Sequence, residues 1–229
     1  MVKKRVVPCL QVRSGRAVRE VKFEGLDDPG DPKAVLLAFQ AQGADEVYLD
    51  QFAGPEDDIG LFVSVLESVR EELAVPMTVG AASTVDEAES WFMAGADRVS
   101  VHFDPPGGRD LLTRLVAVHG SERVVAKVSG GSAAKVGAAE AERLGAGEIL
   151  LVMANGDALD VVSPVCHAVR VPVATLGLTE SPQAMLSAFE AGAAAALAAS
   201  VFADQVVTVT DIKRRLVSLG ADVRPPNDL

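Results

Sequence analysis

Aromatic side chains are scarce, at 4 % of 229 residues, with one Trp and one Tyr. A core must therefore be built from Ala, Val and Leu. Cysteine is scarcer still. Cys9 and Cys166 form no C-x-x-C pair and are too few for a disulfide framework, which excludes a small stapled secreted scaffold. No run approaches the roughly 18 uninterrupted apolar residues of a membrane span, and Met1-Val-Lys-Lys-Arg5 opens no secretory signal. A cytoplasmic protein without a membrane partner is expected. Basic residues are outnumbered, 21 against 32 acidic, for a net charge of −11. That excludes a DNA or RNA partner, which needs a basic face. A small phosphorylated metabolite needs only a few backbone N–H groups and stays open. Neither a metal nor a cofactor is expected. No linker or low-complexity segment divides the chain, so residues 1–229 read as one domain.

What is present is alternation. Short β-branched runs and helical patterns follow each other along the chain, as in parallel βα units. Eight strands are expected: Arg5 to Gln11, Glu46 to Asp50, Met77 to Gly80, Arg98 to His102, Arg123 to Ser129, Glu148 to Met153, Val173 to Leu176 and Ala195 to Ser200. Asp31-Pro32 and Ser181-Pro182 each set an N-cap before a proline whose missing N–H costs nothing there. Thr84-Val-Asp-Glu87 reads as a capping box. The junctions also repeat. Val75-Pro-Met is echoed by Val171-Pro-Val, Ala94-Gly-Ala by Ala191-Gly-Ala, and Gly43-Ala-Asp-Glu46 by Gly145-Ala-Gly-Glu148. All three offsets are about 100 residues, the mark of a module used twice. Four plus four units predict a (β/α)8 TIM barrel with a two-fold half-barrel repeat.

Several segments carry a resemblance. They are Lys4-Arg-Val-Val-Pro-Cys-Leu-Gln-Val12, Gly15-Arg16, Phe23-Glu-Gly-Leu26, Gly30-Asp-Pro32, Gly95-Ala-Asp-Arg-Val-Ser100, Gly145-Ala-Gly-Glu-Ile-Leu-Leu151, Leu197-Ala-Ala-Ser-Val-Phe202 and Val223-Arg224. Together they resemble the cyclase subunit of imidazole glycerol phosphate synthase over almost the whole chain. The sister isomerase shares the barrel and the repeat, but not the Pro-Cys-Leu start or the Phe-Glu-x-Leu segment. The resemblance implies a layer of alternating charges at the bottom of the barrel, where ammonia enters from a glutaminase partner. Arg5, Glu46, Arg98 and Glu148 stand at those positions, with Arg98 where a lysine is usual. A purely structural role for these four charges also remains open.

The resemblance also implies two catalytic aspartates, at the tops of strands one and five. Here Gln11 and Ser129 stand in their places. Neither residue serves unaided as a general acid or base near neutral pH. The phosphate loops are eroded as well: Gly80-Ala-Ala-Ser83, Thr175-Leu-Gly177-Leu-Thr179, Ala154-Asn-Gly-Asp-Ala158 and His102-Phe103 replace glycine-rich or polar counterparts. Gly80, Gly177, Ala199 and Ser200 are what remains of an anion site. The segment Gly130 to Lys135 is short, which leaves the top face open.

Strand parity points Lys127 inward, one layer below Ser129. Asp50 is its candidate partner, and His102 a candidate acid–base group. A buried ion pair or an activated amine both fit Lys127. Cys9 is expected to pack, and Trp91 and Phe92 to serve the core or a partner. Three function classes follow: an enzyme with altered lyase or cyclase chemistry on a phosphorylated ribosyl or sugar compound, a barrel without standard cyclase activity that channels ammonia from a glutaminase, and a non-catalytic binding or scaffold barrel.

Overall fold

A computed structural model describes residues 3–18, 28, 30–52, 59–154, 159–177, 179–204 and 207–226. The Phe23–Leu26 motif and the 155–158 part of the loop after strand six lie outside these residues. Eight parallel strands form the wall: β1 (Arg5–Arg13), β2 (Val47–Gln51), β3 (Met77–Ala82), β4 (Arg98–His102), β5 (Val124–Ser129), β6 (Glu148–Val152), β7 (Val173–Leu176) and β8 (Ala195–Ala198). Each pairs with the next, and β8 returns to β1 in the register Arg5↔Ala195 to Pro8↔Ala198. The wall is therefore closed, a (β/α)8 barrel. A two-residue strand, Arg16–Ala17, folds back antiparallel on the end of β1.

The helices begin where the local chemistry directs. They are α1 (Pro32–Ala41), α2 (Ile59–Arg70), α3 (Val85–Met93), α4 (Gly108–His119), α5 (Ala134–Arg143), α6 (Val162–Ala168), α7 (Pro182–Glu190), the short α8 (Ser200–Asp204) and α9 (Val209–Ser218). Asp31 and Ser181 cap α1 and α7 ahead of their prolines, accepting from the Lys33 and Ala184 N–H groups. Thr84 and Glu87 exchange both bonds of a capping box on α3.

Six strands differ from the sequence reading at an end: β1 runs on to Arg13, β2 spans Val47–Gln51 rather than Glu46 to Asp50, β6 stops at Val152, and β3, β5 and β8 differ for local reasons. β3 runs on to Ala82, because pairing with β4 continues past a bulge to Ala82↔Val101 even though Gly and Ala carry little strand signal. β8 stops at Ala198, since Ser200 already starts α8. Arg123 ends a 3-10 turn (Ser121–Arg123) ahead of β5.

Strand alternation sorts the apolar residues into two bodies. Val6, Leu10, Leu49, Val79, Val99, Ala126, Ile149 and Leu151 face the helices and join the main core, which also holds fully buried Trp91. Val7, Cys9, Tyr48, Val125, Leu150, Ala174, Ala195 and Leu197 fill the lumen. Small residues from β7 and β8 leave room there for the Tyr48 ring. Gly80 serves the same packing, because a Cβ on it would stand 1.7 Å from Ser100 Oγ and 2.7 Å from the Tyr48 hydroxyl.

The C-terminal helix is locked from below. Lys213 on α9 is fully buried, ion-paired to Asp45 at 2.8 Å and donating to the Gly43 carbonyl. Burial pulls its pKa down against the Asp45 hydrogen bond and charge. Asp45 in turn accepts the Val6 N–H at the start of β1. Asp45→Ala leaves a buried ammonium without its partner. Chemical denaturation should show a loss of about 3–5 kcal/mol, the range for breaking one side of a buried pair. An unchanged midpoint would mean that the pair contributes nothing.

Candidate functional site at the floor and mouth of the barrel

The floor is built from the first inward residue of four strands. Arg5 pairs with Glu46 at 2.8 Å and also with Glu148, and Arg98 pairs with both glutamates. Each carboxylate thus bridges two guanidiniums, forming a closed four-membered ring. The Glu46 and Glu148 side chains keep only 6 % and 7 % of their exposure. Thr78 on β3 donates to Glu46 at 2.6 Å, filling a further lone pair. Two positive and two negative charges can share this space only because each is paired. Burial disfavours the charged Arg5, but the two glutamates outweigh it and hold its pKa above the ordinary value. The ring and Thr78 line one end of a cavity of about 20 Å³ whose other walls are Val7, Tyr48, Val125, Leu150, Ala174, Ala195 and Leu197. That is room for one molecule the size of water or ammonia. The hydroxyl of Tyr48, one of the cavity's walls, pairs with the Ser100 hydroxyl at 2.8 Å.

The mouth, at the C-terminal ends of the strands, holds different chemistry. Lys127 on β5 reaches across the lumen to Asp50 on β2, Nζ to Oδ1 3.2 Å. The Gln11 amide on β1 donates to the other Asp50 oxygen at 3.3 Å. Lys127 and Asp50 are 14 % and 13 % exposed, so the pair is screened from bulk water without being sealed. Cys9 lies below it, fully buried. Burial first, and then the Asp50 charge, pushes its thiol well up, so it packs as a neutral group. His102 pairs in register with Lys127 along β4 and β5. Burial, followed by the Lys127 charge, lowers its pKa. His102 also borders a groove of about 210 Å³ with Ser83, Pro105, Pro106, Gly108 and Leu111.

Ser129 is exposed, and its backbone N–H donates to the Asp104 carboxylate at 2.7 Å. At the Ser200 corner of the anion-site candidates, two donors are engaged within the chain. Glu180 accepts from the Ser200 hydroxyl and from the Val201 N–H at 3.0 Å. Its carboxylate sits at the start of α8, where barrels of this class often hold a ligand phosphate. Thr179 anchors the turn by donating to the Leu197 carbonyl. Gly177 has φ +83°, and a Cβ there would meet the Met153 carbonyl at 2.3 Å, so only glycine fits.

The structure therefore brings together Arg5, Glu46, Arg98 and Glu148 at the floor, and Gln11, Asp50 and Lys127 at the mouth. Gly80 lies inside β3, with Ser100 and Tyr48 crowding the place of its missing side chain. Sequence reasoning missed Asp104 and Glu180, loop residues whose partners lie in β5 and α8. Phe92, half-buried against the main core, stacks on His119 with 4.0 Å between ring centroids. Among the described residues, no group of three His, Cys, Asp or Glu side chains is placed to hold a metal ion, and no helix is long and apolar enough to cross a membrane.

A closed (β/α)8 barrel with a buried ring of alternating charges under an apolar lumen is a defined class of protein. Residues 5–208 match the family described as histidine biosynthesis protein, and the chain belongs to that family. It is 33 % identical to imidazole glycerol phosphate synthase subunit HisF of Corynebacterium diphtheriae, with 96 % of this chain and 98 % of that one covered. The HisF subunits of Nitratidesulfovibrio vulgaris (34 % identical, 98 % and 99 % covered) and Geobacillus kaustophilus (33 %, 98 % and 100 %) are similar over the same extent. The first alignment spans 252 positions against 229 residues here, so the relative carries segments that this chain lacks.

The electrostatics of the mouth are testable. His102 should titrate by NMR below the ordinary imidazole value of 6.5. Lys127→Met should raise that midpoint by removing a nearby positive charge, while burial keeps it from rising fully. A midpoint unmoved by the substitution would separate the two residues electrostatically.

Proposed function

We propose that this chain is a diverged synthase barrel that receives ammonia from a glutaminase docked at its floor and has lost the standard cyclase chemistry at its mouth. The observation that carries the reading is the arginine–glutamate ring, closed beneath a cavity of about 20 Å³. Four charges on one barrel axis are costly to bury, and a smaller apolar floor would serve stability at least as well. A ring whose pairs can part and re-form provides a polar inlet, whereas an apolar floor provides none. The apolar lumen above it suits neutral ammonia rather than ammonium.

The loss of chemistry follows from the residues at the mouth. Gln11 and Ser129 stand where the family resemblance implies two proton-transfer aspartates. Each missing group is expected to cost a factor of about 10²–10⁴. The Glu180 carboxylate also repels a ligand phosphate from the start of α8, by like charge and by taking its donors. In this reading Gly177, Ala199 and Ser200 frame that corner without offering it to a phosphate.

Docking is tested by mixing the protein with a cognate-type glutaminase and following glutamine hydrolysis. Hydrolysis should rise at least about tenfold, equivalent to roughly 1.4 kcal/mol of coupling. Arg98→Ala should preserve complex formation while altering that stimulation, since it opens the ring without touching the outer rim. No complex and no stimulation would overturn the proposal.

A further inference from the structure

We infer that Lys127 is an amine nucleophile for a small aldehyde or ketone entering the mouth, with Asp50 as its proton carrier and Gln11 as the group that positions Asp50. The ion pair joins β2 to β5, strands separated by β3 and β4, so the amine reaches its partner through the lumen rather than along a neighbouring strand. A ligand entering the C-terminal face, where barrels carry their chemistry, meets this amine on the axis. Here the amine and its carboxylate each keep slight access to solvent, at 14 % and 13 %. Both Asp50 oxygens are engaged, one by Lys127 and one by Gln11, so the carboxylate is held in a single orientation toward the amine. His102, in register with Lys127, also borders a groove of about 210 Å³ with Ser83. With Glu180 at the anion corner, an unphosphorylated carbonyl compound suits the mouth best.

The chemistry balances within these residues. Lys127 passes one proton to Asp50 across their 3.2 Å contact and becomes a free amine. The nitrogen lone pair forms a C–N bond to the carbonyl carbon, and the C=O electrons move onto oxygen. Proton transfer from the new nitrogen neutralises that oxygen, giving a carbinolamine. Protonated Asp50 then donates to the hydroxyl, which leaves as water, and the nitrogen lone pair closes a C=N bond. A protonated imine remains, with the Asp50 carboxylate as its counter-ion. No oxidant, reductant or metal is required. Lysine suits this role because its amine becomes nucleophilic when its proton is drawn off in a partly desolvated site.

The test is reductive trapping of the full-length protein with glycolaldehyde, and separately dihydroxyacetone, in the presence of sodium cyanoborohydride. Intact mass and peptide mapping give the rate at each lysine. Lys127 should be labelled first and to one adduct per chain, ahead of exposed Lys135. A lysine held only for structure would instead react more slowly than Lys135, because it is buried and ion-paired. Asp50→Asn should slow labelling at position 127 by about 10²-fold or more, the worth of one proton-transfer group. Lys127→Arg keeps a cation opposite Asp50, so it should melt like the wild type while the rapid adduct disappears. Labelling at Lys127 no faster than at Lys135 would overturn the inference, as would labelling unaffected by Asp50→Asn in a folded variant. Glutaminase docking does not enter this assay.

Discussion

Closing eight strands into a barrel forces inward side chains from opposite walls to meet on one axis, and every feature of this molecule answers to that constraint. At the floor, four charged residues meet, and they can do so only as a ring in which each carboxylate bridges two guanidiniums. In the middle, Ala174 and Ala195 make room for Tyr48, while Gly80 gives way to the Tyr48–Ser100 hydroxyl pair. At the mouth, Lys127 and Asp50 span the lumen. The three layers are one inward residue set read from bottom to top, and each layer fixes what the next can hold.

The floor and the mouth stand differently against what the family resemblance implies. The floor keeps the charge pattern that the resemblance implies, with arginine in place of a lysine. Arg98 has a planar fork of donors where a lysine has a single point charge, and it reaches Glu46 and Glu148 at once. At the mouth, Gln11 and Ser129 stand where the resemblance implies two carboxylates, Lys127 reaches into the lumen, and Asp104 and Glu180 approach from loops. Asp104 takes the backbone N–H of Ser129, and Glu180 takes the donors at the start of α8. Acidic groups are thus still present at the mouth, but they are bound to backbone and hydroxyl donors of this chain.

Much of the architecture was legible in the sequence, because its signals are local. Asp31-Pro32, Thr84 to Glu87 and Ser181-Pro182 announced three helix starts, and each cap forms as the residues direct. The half-chain repeat gave the barrel. Strand ends were less legible at Gly80-Ala-Ala82, where residues without strand preference are carried by pairing with β4. Parity alone pointed Lys127 inward and named Asp50 as its candidate partner, but the distance across the lumen depends on how the whole wall closes. Asp104 and Glu180 could not be read at all. They lie in loops whose shape no pattern encodes, 25 and about 20 residues from their partners in β5 and α8.

The central claim is that this barrel keeps the family's floor while its mouth no longer performs the family's cyclisation. It is tested most directly by supplying purified protein with the cyclase substrate and an ammonium salt, so that no glutaminase is needed, and measuring product formation. The account predicts a rate at or near background, because Gln11 and Ser129 provide no proton-transfer pair and Glu180 occupies the donors at the start of α8. Turnover at an enzyme-like rate would contradict it, and would mean that Asp50, Asp104 or Lys127 has taken over the work of the missing aspartates.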